Sequence, residues 1–344
     1  MVSIKDVAWE AKTSFKTVSR VINDDPAVRD ETRARVQAAI EALGYRPNSA
    51  ARIMRSQRSG VIGFISDRVT TQPHAGDILR GAQQVADQHG KVLMTVNLDD
   101  ESRYPQRALD MLLERRVEGL LYASDYHREV DIPEEMHSVP SVLANGFSTQ
   151  ASLPTFLPDE SQAAQEITRL LLAQGHRRIV YIGPNRRLVA APLRLSGFRQ
   201  AMREAGVALD TTWTPDGVEG PLGGEEHSRV ETIIDGVLRW PEPPTAILCG
   251  QDSIAMQTYL ALASRGWCVG HDVAVASFDD QRPISTFLTP GLTTMALPHL
   301  EMGRRAMRRL LGDTGEQGIT RLPFALMERE SHRGVGERAV DTIG

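Results

Sequence analysis

Residues 7–23 read VAWEAKTSFKTVSRVIN, and the spacing of apolar positions in this stretch decides what the first part of the chain is. Ile4, Val7, Ala8 and Ala11 fall at i, i+3, i+4 and i+7, the single buried stripe of an amphipathic helix. Ser3 stands ahead of that stripe as N-cap, and Asp6 three residues on can answer it, as in a capping box. Lys12 and Thr13 break the pattern, after which Ser14 can cap a second helix. There Val18, Val21 and Ile22 turn inward, while Lys16, Ser19, Arg20 and Asn23 point out. A short helix with a small apolar footing and a cationic, hydrogen-bonding outer face suits a DNA major groove. The same spacing also describes an ordinary solvated helical hairpin, so the flanking sequence has to decide.

Further on, Val36, Ala39, Ile40 and Leu43 make the apolar face of a third helix. Asp30 and Glu31 favour its N-terminus through the helix dipole and Gly44 ends it. Three helices in 45 residues bury a minimal core. Tyr45-Arg46-Pro47-Asn48 then forces an extended break, because a residue before proline avoids the helical region. The next segment, SAARIMRSQRSG, reads alone as a basic linker. Residues 1–60 hold 11 Lys and Arg against 7 Asp and Glu, a net +4, which leaves −9 for the rest of a chain whose total is −5. A basic head on an acidic body is the charge layout of a DNA-binding module joined to something else.

IKDVAWEAKTSFKTVSRVIN and ETRARVQAAIEALGYRPNSAARIMR resemble the DNA-binding head and hinge of the lactose/galactose-repressor family over residues 3–55, with a looser likeness to about residue 330. The resemblance implies that Phe15, Lys16 and Arg20 read bases, with Ser14, Thr17, Asn23 and Tyr45 in the same interface. Asn48, Ala51, Arg52, Met54 and Arg55 would belong to a hinge helix that enters the minor groove at the centre of a pseudo-palindromic operator. Three positions depart from the family: Lys12 stands where a turn glycine is usual, Trp9 where a polar residue is common, and Met54 where a leucine normally wedges between base pairs.

From Gly60 onward apolar runs alternate with helical patterns. Strands are expected at 61–65, 92–96, 119–122, 179–182, 246–249 and 273–278, and helices at 77–88, 104–115, 162–173, 195–205, 225–238, 254–264 and 298–311. Such alternation means parallel sheets covered on both faces, and the length suits two lobes. The resemblance implies two Rossmann-like lobes joined by three crossovers, like periplasmic sugar-binding proteins. The expected domains are 1–46 (helix-turn-helix), 47–59 (hinge), 60–333 (effector binding and dimerisation) and a tail, 334–344.

Ligands of open α/β sheets gather at the carboxyl ends of strands, which brings forward the polar groups after each apolar run. Carboxylates, an amide and a guanidinium can each pair with two vicinal hydroxyls. The resemblance places Asp159, Arg194, Gln251 and Asp279 on effector-contact positions, Gln251 replacing the usual asparagine; His74, ahead of a helix, joins them as a candidate. Asp159 and Asp252 are also good helix caps, Asp280 reads as a solvated neighbour, and His176-Arg177-Arg178 as the exit of a helix. Trp213 suits either a sugar-stacking platform or the start of a strand.

No apolar run reaches the roughly 18 residues of a membrane span, and the first apolar residues belong to an amphipathic helix rather than a signal-peptide core, so a cytoplasmic protein is expected. Cys249 and Cys268 form neither a metal nor a redox pattern; no metal and no cofactor are expected. Phosphate-binding GxxxxGK[ST], GxGxxG after the first strand and the GxSxG elbow are all missing. The expectation is a DNA-binding regulator, a repressor, controlled by a small carbohydrate-like effector and acting as a homodimer, since the C-terminus shows no leucine heptad. A transport-type sugar-binding protein or an α/β sugar or nucleotide enzyme would share the body but leave residues 1–58 without a use.

Overall fold

The computed structural model describes residues 2–45, 58–70, 75–98, 105–150, 152–209, 211–222, 224–315 and 317–333. They fall into two compact units, 1–59 and 60–344. In the first, α1 (Ile4–Glu10), α2 (Phe15–Ile22) and α3 (Asp30–Leu43) close on Val7, Ala8, Ala11, Val18, Val21, Val36 and Ala39. The capping box forms as the spacing predicts: the Ser3 backbone N–H donates to Asp6 at 2.8 Å and the Asp6 N–H to Ser3 Oγ at 3.4 Å. Ser14 Oγ accepts from the Thr17 N–H at 3.1 Å to start α2. Lys12 takes φ +48° in the turn between the helices, a left-handed conformation that costs a residue with a Cβ about 1–2 kcal/mol. Arg35 Nε donates to the Ala11 carbonyl at 2.9 Å, tying α3 to the end of the first helix. Gly44 closes α3 at φ +57°.

The second unit holds two sheets. The N-terminal lobe contains β1 (Val61–Asp67), β2 (Val92–Leu98), β3 (Leu120–Glu129), β4 (Ser141–Phe147), β5 (Thr155–Pro158) and β12 (Ile319–Leu322), all parallel in the order β12-β5-β4-β3-β1-β2. The C-terminal lobe contains β6 (Ile179–Ile182), β9 (Ala246–Cys249), β10 (Ala274–Asp279), β11 (Thr293–Ala296) and β13 (Ala325–Met327) in the order β13-β11-β10-β9-β6, antiparallel only at β13. The chain therefore crosses between lobes after β5, after β11 and after β12. A short hairpin, β7 (Val218–Glu219) with β8 (His227–Ser228), accompanies the second sheet.

Helices α4 (Gly76–Gln88), α5 (Pro105–Leu113) and α11 (His299–Leu310) cover the first sheet; α6 (Glu160–Ala173), α7 (Ala190–Glu204), α8 (Val230–Val237), α9 (Asp252–Ala263) and the single turn α10 (Arg282–Ser285) cover the second. Where α4 crosses α11 the backbones nearly touch: a Cβ on Gly303 would lie 2.0 Å from the Ile78 carbonyl oxygen, and one on Gly81 2.0 Å from that of Leu300. Only glycine permits this approach.

The expected helices shift by one or two residues at their ends, and two shift further at their start. The helix expected at 195–205 begins at Ala190, and that expected at 225–238 begins at Val230, because residues 227–228 pair in the hairpin instead. Trp213 lies in a short 3₁₀ turn, Thr211–Trp213, and not at a strand start; its ring packs edge-on against Trp240 at 4.8 Å between centroids.

Candidate functional site

Two surfaces gather the functional candidates, one in each unit. In the first unit α2 rests on buried Val18 and Val21. Its start leaves the Phe15 ring 61% exposed, and Lys16 and Arg20 are exposed on the same helix. An exposed ring beside two cations on a rigid, capped helix can present apolar contact and N–H donors to base edges. Arg20 Nε lies 3.5 Å from Asp25, a loose pair at the helix end. Ser14 and Thr17 hydroxyls meet at 2.9 Å, and the Asn23 amide donates to the Ser19 carbonyl at 2.7 Å, so these three are engaged in shaping the helix. Tyr45 packs partly buried on the three-helix core. Asn48, Ala51, Arg52, Met54 and Arg55, and with them most of the expected hinge, lie outside the described residues.

In the second unit the carboxyl ends of both sheets carry an ionised network. Arg194 is interior to α7, 3% exposed, and spends its donors on three elements. Nε donates to Glu160 at 2.7 Å, Nη1 to the Gly250 carbonyl at 2.6 Å, and Nη2 lies 3.1 Å from Asp279. Its guanidinium also sits 4.6 Å from the Phe278 ring centroid. Burial pushes the Glu160 carboxyl up, but Arg194 and the His127 contact outweigh it and hold the group below its ordinary value. His127 Nδ1, on β3 of the other lobe, is 3.7 Å from Glu160, so the network joins the two lobes. Asp279 takes φ +107° at the end of β10, a strained backbone of the kind found at ligand clamps.

The N-terminal lobe contributes the ends of β1 and β3. Arg128 pairs with Asp67, the Tyr122 hydroxyl donates to Asp67 at 3.2 Å, and Arg68 lies 3.2 Å from buried Asp125. Burial raises the Asp125 carboxyl, with Arg68 and Arg128 opposing. The Tyr126 phenol is raised by burial and then by carboxylates of both lobes, Asp125 on one side and Glu226 and Asp279 on the other. Asn145 Oδ1 is buried without a hydrogen-bond partner among the described residues.

Of the expected effector residues, Arg194 and Asp279 meet directly. Gln251 is the N-cap of α9 and makes no capping bond through its side chain. Asp159 caps α6, accepting from the Gln162 N–H at 3.1 Å, and His74 lies outside the described residues. Two other readings are corrected. Asp252 does not cap its helix: buried, it accepts from the Gln281 N–H at 2.7 Å and the Thr294 hydroxyl at 2.8 Å, and burial with Asp279 nearby pushes it up to about 7. Asp280 is not a solvated neighbour but pairs with Arg329 at 2.8 Å. In the run that leaves α6, His176 is buried against the Thr245 hydroxyl at 3.1 Å, and burial lowers its pKa.

Glu160 and the run Asp125-Tyr126-His127-Arg128 were not singled out from sequence. The strand-end rule reaches the latter only if β3 is known to run beyond Tyr122 through its register shift between Ala123 and Arg128.

Comparison with known proteins bears on both units. The model for bacterial regulatory proteins of the lacI family matches residues 3–48, and that for the periplasmic binding protein-like domain matches residues 168–332. The sucrose operon repressor of Escherichia coli is 32% identical over 332 residues, covering 96% of this chain and 99% of its own. A solved LacI-family transcriptional regulator from Rhizobium etli is 35% identical, covers 80% of this chain and 100% of its own, and superposes with a TM-score of 0.74. The lac repressor dimer bound to operator and the anti-inducer ONPF shares the fold at a TM-score of 0.75, with 24% identity over 97% of this chain and 99% of that one.

Proposed function

The chain belongs to the lacI family of bacterial regulatory proteins, and from that premise we propose a sequence-specific DNA-binding repressor whose operator affinity is set by a small carbohydrate-like effector. The observation that carries the DNA-binding half is the solvent face of α2, with Phe15, Lys16 and Arg20 exposed above a buried Val18–Val21 footing. A guanidinium donating to guanine O6 and N7 discriminates by about 1–3 kcal/mol. Arg20→Ala should therefore relax the preference at particular base pairs. Selection of operators from a randomised DNA pool tests this, and an unchanged base preference in the variant would sink the assignment. Arg33 is the contrast: it donates to Asp24 at 3.0 Å and to the Asp25 carbonyl at 2.7 Å, so Arg33→Ala should weaken all sequences alike.

The effector reading rests on the cleft side chains Arg194, Asp279 and Gln251 and on the unpartnered Asn145 oxygen; the sucrose operon repressor among its relatives points to a sugar or sugar derivative. An effector shifts DNA affinity only by the difference in its affinity for two arrangements of the lobes. As a member of a regulatory family the protein is not an enzyme. A homodimer is proposed on the apolar exposure of α9 and the turn after α10: Leu260 is 66% and Phe287 83% exposed, with Met256 one helical turn before Leu260. Leu260→Asp should shift the sedimentation coefficient to that of a monomer. Among the described residues no helix is long and apolar enough to cross a membrane; the proposed role on operator DNA supports a cytoplasmic location.

A further inference from the structure

The buried guanidiniums of the cleft are already matched by carboxylates. Arg194 faces two of them, Glu160 at 2.7 Å and Asp279 at 3.1 Å, and gives a third donor to the Gly250 carbonyl. Arg128 pairs with Asp67, and Arg68 lies 3.2 Å from Asp125. A phosphate or carboxylate on an incoming ligand would have to displace one of these carboxylates. The displaced group, buried in every case, would then carry an uncompensated charge.

Glu226 is differently placed. It closes the loop of the β7–β8 hairpin, just before His227, and accepts from Asn185 Nδ2 at 2.6 Å. The same Nδ2 donates to the Gly220 carbonyl at 3.2 Å, so one buried amide at the carboxyl end of β6 ties both sides of the loop down. The loop is tight: at Gly220, φ +110°, a Cβ would lie 2.4 Å from the Glu225 carbonyl oxygen. An amide fixes a carboxylate without neutralising it. Among the described residues no cation pairs with Glu226; Arg229 is taken by Glu219 at 2.6 Å, and the exposed Arg186 and Arg187 form no ion pair with it. Glu226 and Asp279 both act on the Tyr126 phenol of the other lobe, so this carboxylate faces across the cleft.

The unused group of the N-terminal lobe is an acceptor as well. Asn145, 2% exposed, donates through Nδ2 to the Ser124 carbonyl at 3.1 Å, which fixes its amide and leaves Oδ1 without a partner among the described residues. Leaving a buried acceptor unmet costs about 1–3 kcal/mol. What the cleft offers a ligand is therefore a fixed carboxylate and a buried amide oxygen. Their complement is a molecule rich in donors that also carries positive charge.

Resting on the effector reading above, we propose that the effector is an amino sugar, its protonated amine paired with Glu226 and a hydroxyl donating to Asn145 Oδ1. Calorimetry on the full-length protein tests this with glucosamine, galactosamine and mannosamine, each beside its neutral hexose and its N-acetyl derivative, and with glucuronate and glucose 6-phosphate. At least one amine should bind saturably and about tenfold or more tighter than its hexose, because the pair with Glu226 is charge-assisted. N-acetylation should remove that advantage, and so should Glu226→Gln. The glutamine oxygen can still accept from Asn185, so the unliganded variant should melt with the wild type. A neutral hexose bound as tightly as its amine overturns the proposal, as does an amine preference that survives Glu226→Gln, or tighter binding of glucuronate or glucose 6-phosphate. In each of those cases a sugar is bound and the effector reading stands. Absence of saturable binding by every sugar of the set would sink the effector reading together with the proposal.

Discussion

Replacing Arg194 by alanine strips the only guanidinium, among the described residues, that touches Glu160 and Asp279, both nearly out of solvent. Breaking a buried ion pair by removing one partner costs about 3–5 kcal/mol, because the remaining charge is left uncompensated. Here two carboxylates and the Gly250 carbonyl lose their donor together, so the upper part of that range is expected. The pH dependence has a definite sign. Folded Glu160 titrates below its ordinary value of 4.5, so its contribution is complete above that value and is lost as pH falls through the lower folded one. Without Arg194, burial dominates, Glu160 titrates above its ordinary value, and the variant regains stability as acid neutralises it. The gap between wild type and Arg194→Ala should therefore narrow as pH falls toward and below 4.5. Urea unfolding followed by tryptophan fluorescence reads this lobe, because Trp213, Trp240 and Trp267 all pack, partly buried, against its core. A difference below about 1 kcal/mol, or one independent of pH, would refute the view that Arg194 holds the C-terminal lobe together, and would leave it a ligand contact alone.

Lys12→Gly should stabilise the head by about 0.5–1 kcal/mol, the relief of a left-handed residue less the chain entropy of glycine, read as slower amide exchange across α1 and α2. Gly303→Ala should destabilise the N-terminal lobe by about 1–3 kcal/mol or more, since its Cβ meets a backbone carbonyl rather than a yielding side chain; a melting temperature equal to wild type would contradict the close helix crossing. Asp252, pushed up to about 7 in the folded chain from 3.8, takes up a proton on folding between those values, so its effect is a loss of stability as pH rises between them. Asp252→Asn should flatten that part of a melting-temperature profile, and an unaltered slope would show that the carboxyl does not titrate there.

Much of the chain was legible from local spacing. The Ser3–Asp6 box, the Ser14 cap and the inward Val18 and Val21 all depend on residues three or four apart, and the helix period alone brings such residues together. The strands Ile179–Ile182 and Ala246–Cys249 run as expected because a fully buried parallel strand is a continuous apolar run with polar ends. The strands β5, β11 and β12 carry no such run. Ile319–Leu322 sets Thr320 and Arg321 side by side between two apolar residues at the edge of a sheet, and its pairing with Thr155–Pro158 exists only because the chain has returned to the first lobe. The cleft divides in the same way. Arg194, Gln251 and Asp279 were visible by type and by resemblance, but the partners of Arg194 lie 34 and 56 positions away at Glu160 and Gly250. Local sequence specifies where each strand ends and which polar group follows it. Which of those groups become neighbours, and which are driven to share charge by leaving water together, is decided by the sheet order and the three crossings between lobes.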